Sequence, residues 1–165
     1  MADQPPATDP SNPRVKIQTT AGDIVVELFA KEAPVSTQNF LAYVREGFYE
    51  GLIFHRVIKG FMIQGGGLDA SGKQKKGKSP IKLEINYPTL QHWNGALAMA
   101  RTNDPNSATS QFYICHGPQR GLDKNYAVFG VVREGIKVVE AIATTPTDRS
   151  DRPKSDVTIQ KATVL

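Results

Sequence analysis

The chain is 165 residues long, 39% of them apolar, with a net charge of +4 and one cysteine. That length suits one sizeable core, the apolar fraction is too high for a disordered chain, and no composition break marks a second domain. Cys115 alone excludes an intramolecular disulfide framework, and no apolar run approaches the roughly 18 residues of a membrane span. Residues 1–13, MADQPPATDPSNP, hold four prolines and three apolar side chains, with no apolar stretch of a secretory signal. They are expected to form a disordered tail on a cytoplasmic protein, with 14–165 as its single domain. Val15, Ile17 and Thr19 alternate, Ala21-Gly22-Asp23 reads as a turn, and Ile24, Val26 and Leu28 alternate again, which predicts a hairpin. Pro34 opens a predicted helix through Glu46, with Thr37, Phe40, Leu41 and Val44 at helical spacing. A strand pair around Arg56 and Gln64 ends in Gly65-Gly66-Gly67, and a loop of glycines and lysines runs over 67–80. Further strands are predicted at 96–100, 111–115, 128–132 and 157–164, with a short helix at 136–143. The last strand changes apolar phase between Ile159 and Ala162, a pattern expected of a bulge.

About eight strands and two helices in a small domain predict a closed eight-stranded antiparallel barrel capped by the helices, since closure removes edge strands. Side chains fill an interior of that size, so a ligand site is expected on the outer wall. Two segments, FHRVIKGFMIQGG at 54–66 and SQFYIC at 110–115, then become informative. Alternation places Phe54 with Arg56, Met62 with Gln64, and Gln111 with Tyr113 on outward faces. One fixed cation, two amides and several large apolar groups suit an uncharged peptide, and there is no obvious nucleophile.

Those two segments, extended as GALAMARTNDPNSATSQFYIC at 95–115 and joined by LDKNYAVFG at 122–130, resemble the signature blocks of the cyclophilins, the peptidyl-prolyl cis-trans isomerases. The resemblance runs from Val15 to Val164, and Met-Ala-Arg-Thr at 99–102 with Tyr126 is similar to bacterial-type members. It implies that Arg56 is the catalytic group, and that Phe61, Met62, Tyr113 and Leu122 take the proline ring. Gln64 and Gln111 would hydrogen-bond the peptide, with Gln64 also helping to hold Arg56. Ala100, Arg101 and Tyr126 would lie along the substrate. Tyr113 stands where the family usually has phenylalanine, which would add a hydroxyl to the pocket rim. Gly121 stands where many eukaryotic members carry tryptophan, which implies weak binding of cyclosporin. The implied partners are proline-containing peptides and partly folded proteins, handled by a monomer without a cofactor.

Other readings are weaker. His55 alternates away from Arg56, which suits a structural role. His55, His92, His116 and Cys115 do not make a metal-ligand spacing, and the triple glycine lacks the Lys-Ser or Lys-Thr of a P-loop. Ser107 and Ser110 have no triad partners. KQKKGK at 73–78 reads as a solvated loop that tunes substrate preference, because no aromatic side chain interleaves with it to support nucleic-acid binding. The second reading of function is a proline-binding module or chaperone with little turnover. Arg56 favours the enzyme, because holding a proline segment requires no donor aimed at its nitrogen.

Overall fold

The computed structural model describes residues 4–165. Its strands are β1 (Arg14–Thr19), β2 (Gly22–Leu28), β3 (Arg56–Ile58), β4 (Met62–Gly65), β5 (Ala96–Met99), β6 (Phe112–Cys115), β7 (Val128–Glu134) and β8 (Ile159–Val164). Helices α1 (Pro34–Arg45) and α2 (Ile136–Ala143) complete the set, with a 3-10 turn at Arg120–Leu122. Pro34 begins α1, where its fixed φ suits the first turn and its missing N–H costs nothing. The buried positions of α1 include Phe40, Leu41 and Val44, and the helix lies against β7 and β8. Val139, Ile142 and Ala143 seat α2 near β2, β3 and β4.

The eight strands form one antiparallel sheet in the order β3-β4-β6-β5-β7-β2-β1-β8. It curls through 223° and stays open, so the closed barrel expected from strand count is corrected to a half-barrel. The edge strands β3 and β8 share no ladder. Among the described residues, an isolated bridge between Ile53 and Thr158 crosses from one edge to the other, with hydrogen bonds from Phe54 N to Val157 O (3.0 Å), from Ile159 N to Leu52 O (2.8 Å) and from Gly51 N to Ile159 O (2.8 Å). Beyond it, Val57 N donates to Asp151 O at 2.7 Å, so a loop occupies the edge that a ladder would have filled. The phase change in the last strand is a real irregularity: Gln18 pairs with Lys161 but Thr19 with Ile159, which leaves Gln160 over.

The concave side is filled by aromatic rings. Phe112 meets Phe40 at 5.4 Å, Tyr49 at 5.3 Å and Phe54 at 6.0 Å, all edge-to-face. Phe54 therefore belongs to the core and not to the face of Arg56, because the regular strand begins only at Arg56 and the alternation does not extend back to 54. The triple glycine serves this packing. A side chain at Gly66 (φ +86°) would press on the Phe112 ring at 2.9 Å, and one at Gly67 would collide with Gln111.

On the opposite side of β2, Glu27 points away from Ile24, Val26 and Leu28 yet is 0% exposed. Its carboxylate accepts from Arg133 Nε at 2.7 Å, Asn12 Nδ2 at 2.8 Å and Asp9 N at 3.2 Å. Arg133 also donates to Pro6 O, and Leu28 N to Pro13 O. Of the expected tail, residues 1–3 lie outside the described residues, while the stretch from Pro6 to Pro13 is held against the sheet. The reason is polar, not apolar: the segment supplies hydrogen bonds to a buried carboxylate. Asn12→Ala removes one of them and should cost about 1–3 kcal/mol, the usual penalty for a buried charged group losing a donor. Thermal unfolding should register a fall of several degrees, as should deletion of residues 1–12. An unchanged melting temperature in both variants would show that the segment does not stay docked.

Candidate active site

The site is built on one cross-strand row. Arg56 pairs with Gln64, and Gln64 pairs in turn with Tyr113. Residues directly opposite in adjacent strands point to the same face, so these three side chains stand together on the convex wall. The neighbouring row, Val57, Ile63, Ile114 and Leu97, points inward and is at most 1% exposed.

Arg56, Phe61, Met62, Gln64, Ala100, Arg101, Tyr113, Leu122 and Tyr126 surround a cavity of about 170 Å³. Nine of the ten residues expected at the site thus share one lining. Gln111 sits next door, in a cleft of about 360 Å³ that also touches Gln64, Ala100 and Arg101. A drug-sized pocket measures roughly 300–1,000 Å³, so the first cavity has room for one compact side chain. Phe61 enters from the β3–β4 turn, Met62 from β4 and Tyr113 from β6, while Leu122 and Tyr126 come from the 3-10 turn and its exit. Met62 and Tyr113 are 2% and 5% exposed. They form a buried floor, so the alternation places them on the right face but that face is not a solvated one.

The polar groups divide by role. Arg56 is exposed at the rim, and among the described residues no carboxylate pairs with it. Its contact with Gln64 Oε1 is long, 3.5 Å, so Gln64 restrains it weakly. Gln64 Nε2 donates instead to Gln111 Oε1 at 2.9 Å, which fixes both amides as a pair. Arg101 lies over the Tyr126 ring at 4.4 Å and donates to the carbonyls of Thr102 (2.9 Å) and Asn125 (2.8 Å). Its guanidinium is thereby spent on structure. His55 is half-buried with Nδ1 unbonded, and burial and then the charges of Arg56 and Arg152 hold its pKa below the ordinary value.

The Tyr113 hydroxyl does not reach the rim. It lies 2.7 Å from Nε2 of His92, a ring that is 0% exposed. His92 Nδ1 in turn lies 3.0 Å from Asp123 Oδ1. Neither His92 nor Asp123 was expected here: they come from loops, 31 positions apart, with no periodicity to flag them. Burial depresses the pKa of His92, opposed in part by Asp123, and burial pushes the Cys115 thiol up to about 12. Cys115 is therefore a core residue and not a nucleophile.

The lysines of the 73–78 loop are exposed, as expected of a solvated loop, and two of them also make surface contacts. Lys75 donates to Phe48 O at 2.8 Å and lies over that ring, and Lys78 meets Glu46 at 2.7 Å. It is Gln74, not a lysine, that reaches the cleft beside Gln111. Ser107 and Ser110 bond to Thr102 and to Gly66 O as loop fasteners. No helix among the described residues is long and apolar enough to cross a membrane, and no cluster of three metal-ligating side chains converges there.

Comparison with known proteins gives a consistent result. Residues 14–164 match the family model described as cyclophilin type peptidyl-prolyl cis-trans isomerase/CLD. The chain is 47% identical to peptidyl-prolyl cis-trans isomerase B of Escherichia coli (strain K12) over 162 residues, covering 91% of this chain and 98% of that one. It is likewise 47% identical to the isomerase cyp18 of Streptomyces antibioticus over 163 residues, with 92% and 98% covered. A crystal structure of a Cryptosporidium parvum cyclophilin type isomerase superposes with a TM-score of 0.86 at 34% identity, covering 93% of this chain and 98% of that one. A second crystal structure of that protein, in the presence of the dipeptide Ala-Pro, gives 0.85 at 34% identity, with 92% and 98% covered. With its curled antiparallel sheet and a single-side-chain cavity on the outer wall beside an unpaired arginine, the chain belongs to the cyclophilins, the family of peptidyl-prolyl cis-trans isomerases.

Proposed function

We propose that Arg56 catalyses rotation about X–Pro bonds by donating a hydrogen bond to the proline nitrogen as it leaves the amide plane. Resonance sets a barrier of roughly 18–20 kcal/mol to this rotation. As the bond twists, the nitrogen becomes pyramidal and its lone pair becomes an acceptor. A donor aimed there binds the twisted state better than either planar state, and that difference is catalysis. The observation that carries this reading is an exposed guanidinium with no carboxylate partner at the mouth of a cavity otherwise lined by apolar and amide groups. Its donors remain available to a substrate.

In this reading the proline ring enters between Phe61, Met62, Tyr113 and Leu122, and the Gln64–Gln111 pair binds the peptide backbone. Ala100 and Tyr126 bound the peptide's path, with Arg101 held beside it. A millionfold acceleration corresponds to about 8 kcal/mol. One preorganised donor contributes about 3–4 kcal/mol of that, and orientation of the peptide supplies much of the rest. The substrates are proline-containing segments of peptides and partly folded proteins, met by a cytoplasmic monomer. Only Val35, Tyr87 and Leu165 among the described residues are large apolar side chains left exposed, too few for an obligate interface.

Arg56→Ala should lower kcat/KM on a short proline peptide about a hundredfold or more, equivalent to about 2.7 kcal/mol. Its melting temperature should stay within a degree or so, because an exposed side chain leaves no cavity. Arg56→Lys should also lose much of the activity, since an ammonium does not reproduce the planar fork. Wild-type turnover in a folded Arg56→Ala protein would exclude the mechanism.

Cyclosporin should bind weakly. Gly121 offers neither apolar area nor an N–H donor, and it borders a shallow surface depression with Tyr87, Arg120 and Lys124. Its backbone lies outside the left-handed region and a β-carbon added there meets nothing within 4 Å, so a side chain can leave the backbone at this position without strain. Gly121→Trp should tighten cyclosporin by about thirtyfold, the contribution of one aromatic anchor, while turnover on small peptides changes little. Calorimetric titration of both proteins decides it. Equally tight, nanomolar binding by the parent protein would show that another side chain supplies the anchor.

A further inference from the structure

The walls of the cavity come from four separate segments, 56–64, 100–101, 113 and 122–126, and a single buried histidine touches two of them and reaches the 56–64 segment through one intermediary. His92 donates its backbone N–H to Asp123 Oδ1 at 2.6 Å and accepts Gln119 N at its carbonyl, 2.8 Å away. Asp123 and Gln119 flank the 3-10 turn that carries Leu122 and leads to Tyr126. Gln119 Nε2 also donates to Gly60 O at 2.9 Å, and Gly60 N donates to His116 Nδ1 at 2.8 Å, so the turn before Phe61 is fastened on both sides. On the β6 wall, the His92 ring lies nearly parallel to the Tyr113 ring, with 12° between planes and centroids 5.8 Å apart, and meets its hydroxyl end-on.

The proton positions follow from chemistry. A carboxylate only accepts, so the ring nitrogen facing Asp123 carries the hydrogen. The ring stays neutral because burial opposes charging it, which leaves Nε2 with a lone pair. That lone pair accepts the Tyr113 O–H. The phenol hydrogen is committed inward and the ring cannot swing or tilt without breaking a buried hydrogen bond. A phenylalanine at 113 has no such tether.

We propose that His92 is the positioning residue of the proline cavity, pinning the Tyr113 ring on β6 to the Asp123 segment that carries Leu122 and Tyr126. It touches no substrate. Its effect is on the width of the slot into which the proline ring fits, so it acts on binding that is shared by the planar and twisted states. Loss of such uniform binding raises KM and leaves kcat nearly unchanged, whereas loss of Arg56 acts on kcat. The tether and the catalytic donor are thus separable in one assay.

The test compares His92→Phe, Tyr113→Phe and the double variant in the full chain, assayed on a short proline peptide at about 10 °C, where uncatalysed rotation takes minutes and the proteins remain folded. Each single variant should raise KM about tenfold with kcat within about twofold, and the double variant should be no worse than either, because both break the same bond. Wild-type KM in folded His92→Phe, even with a lowered melting temperature, would reduce His92 to a stability role and overturn the proposal. Additive effects in the double variant would do the same. Should His92→Phe fail to fold, Tyr113→Phe carries the kinetic test alone, and a wild-type KM there overturns it. Nitrogen-15 NMR of the wild-type imidazole gives an independent reading: Nδ1 protonated and Nε2 a bare acceptor is expected, and the opposite tautomer contradicts the tether.

Discussion

The register of β4 between β3 and β6 is the constraint on which this molecule's chemistry depends. Side chains alternate faces along a strand, so a slip of one residue would turn Arg56 into the core and Val57 out to solvent. The inward row of Val57, Ile63, Ile114 and Leu97 opposes that slip, because a strand that slipped would expose its own large aliphatic member of the row at a cost of about 1.5–3 kcal/mol. The core therefore places the functional row. Arg56, Gln64 and Tyr113 stand in line because the side chains behind them must be buried, and the rigidity of the row comes from packing that never meets a substrate.

The same core decides where the site is. Phe112 and the rings around it leave no room inside the curl of the sheet, so a ligand can meet only the convex wall or the loops. The wall alone is too flat to hold a proline ring. Depth comes from the β3–β4 turn with Phe61 and from the 3-10 segment with Leu122, and both are joined by polar contacts, buried at His92 and exposed at Gln119. Apolar packing gives the floor, and hydrogen bonds give the sides.

Much of this could be read from the residues. The alternation in 54–66 and 110–115 placed Arg56, Met62, Gln64 and Tyr113 on one face, and the blocks that resemble cyclophilins added Phe61, Leu122 and Tyr126. What escaped the sequence did so for physical reasons. Phe54 was assigned to the wrong face because period-2 alternation holds only inside a regular strand, and β3 starts at Arg56. Glu27 lies on the outer side of β2, where a carboxylate is ordinarily solvated, and only the fold brings Arg133, 106 positions away, to neutralise it. The Tyr113 hydroxyl was expected at the rim because its partner, His92, is a loop residue whose position no local pattern determines. Strand count could not distinguish a closed barrel from an open curl, since the distinction lies in whether β3 and β8 pair.

If Arg56 acts as proposed, this register delivers its guanidinium to the nitrogen of a bound proline. A crystal structure of the protein with a short X–Pro peptide tests it most directly. The ring should lie between Phe61, Met62, Tyr113 and Leu122, with a guanidinium nitrogen within about 3.5 Å of the proline nitrogen, the range of a reacting geometry. A ring bound in the neighbouring cleft, or an Arg56 side chain turned away from the imide, would contradict that role for Arg56.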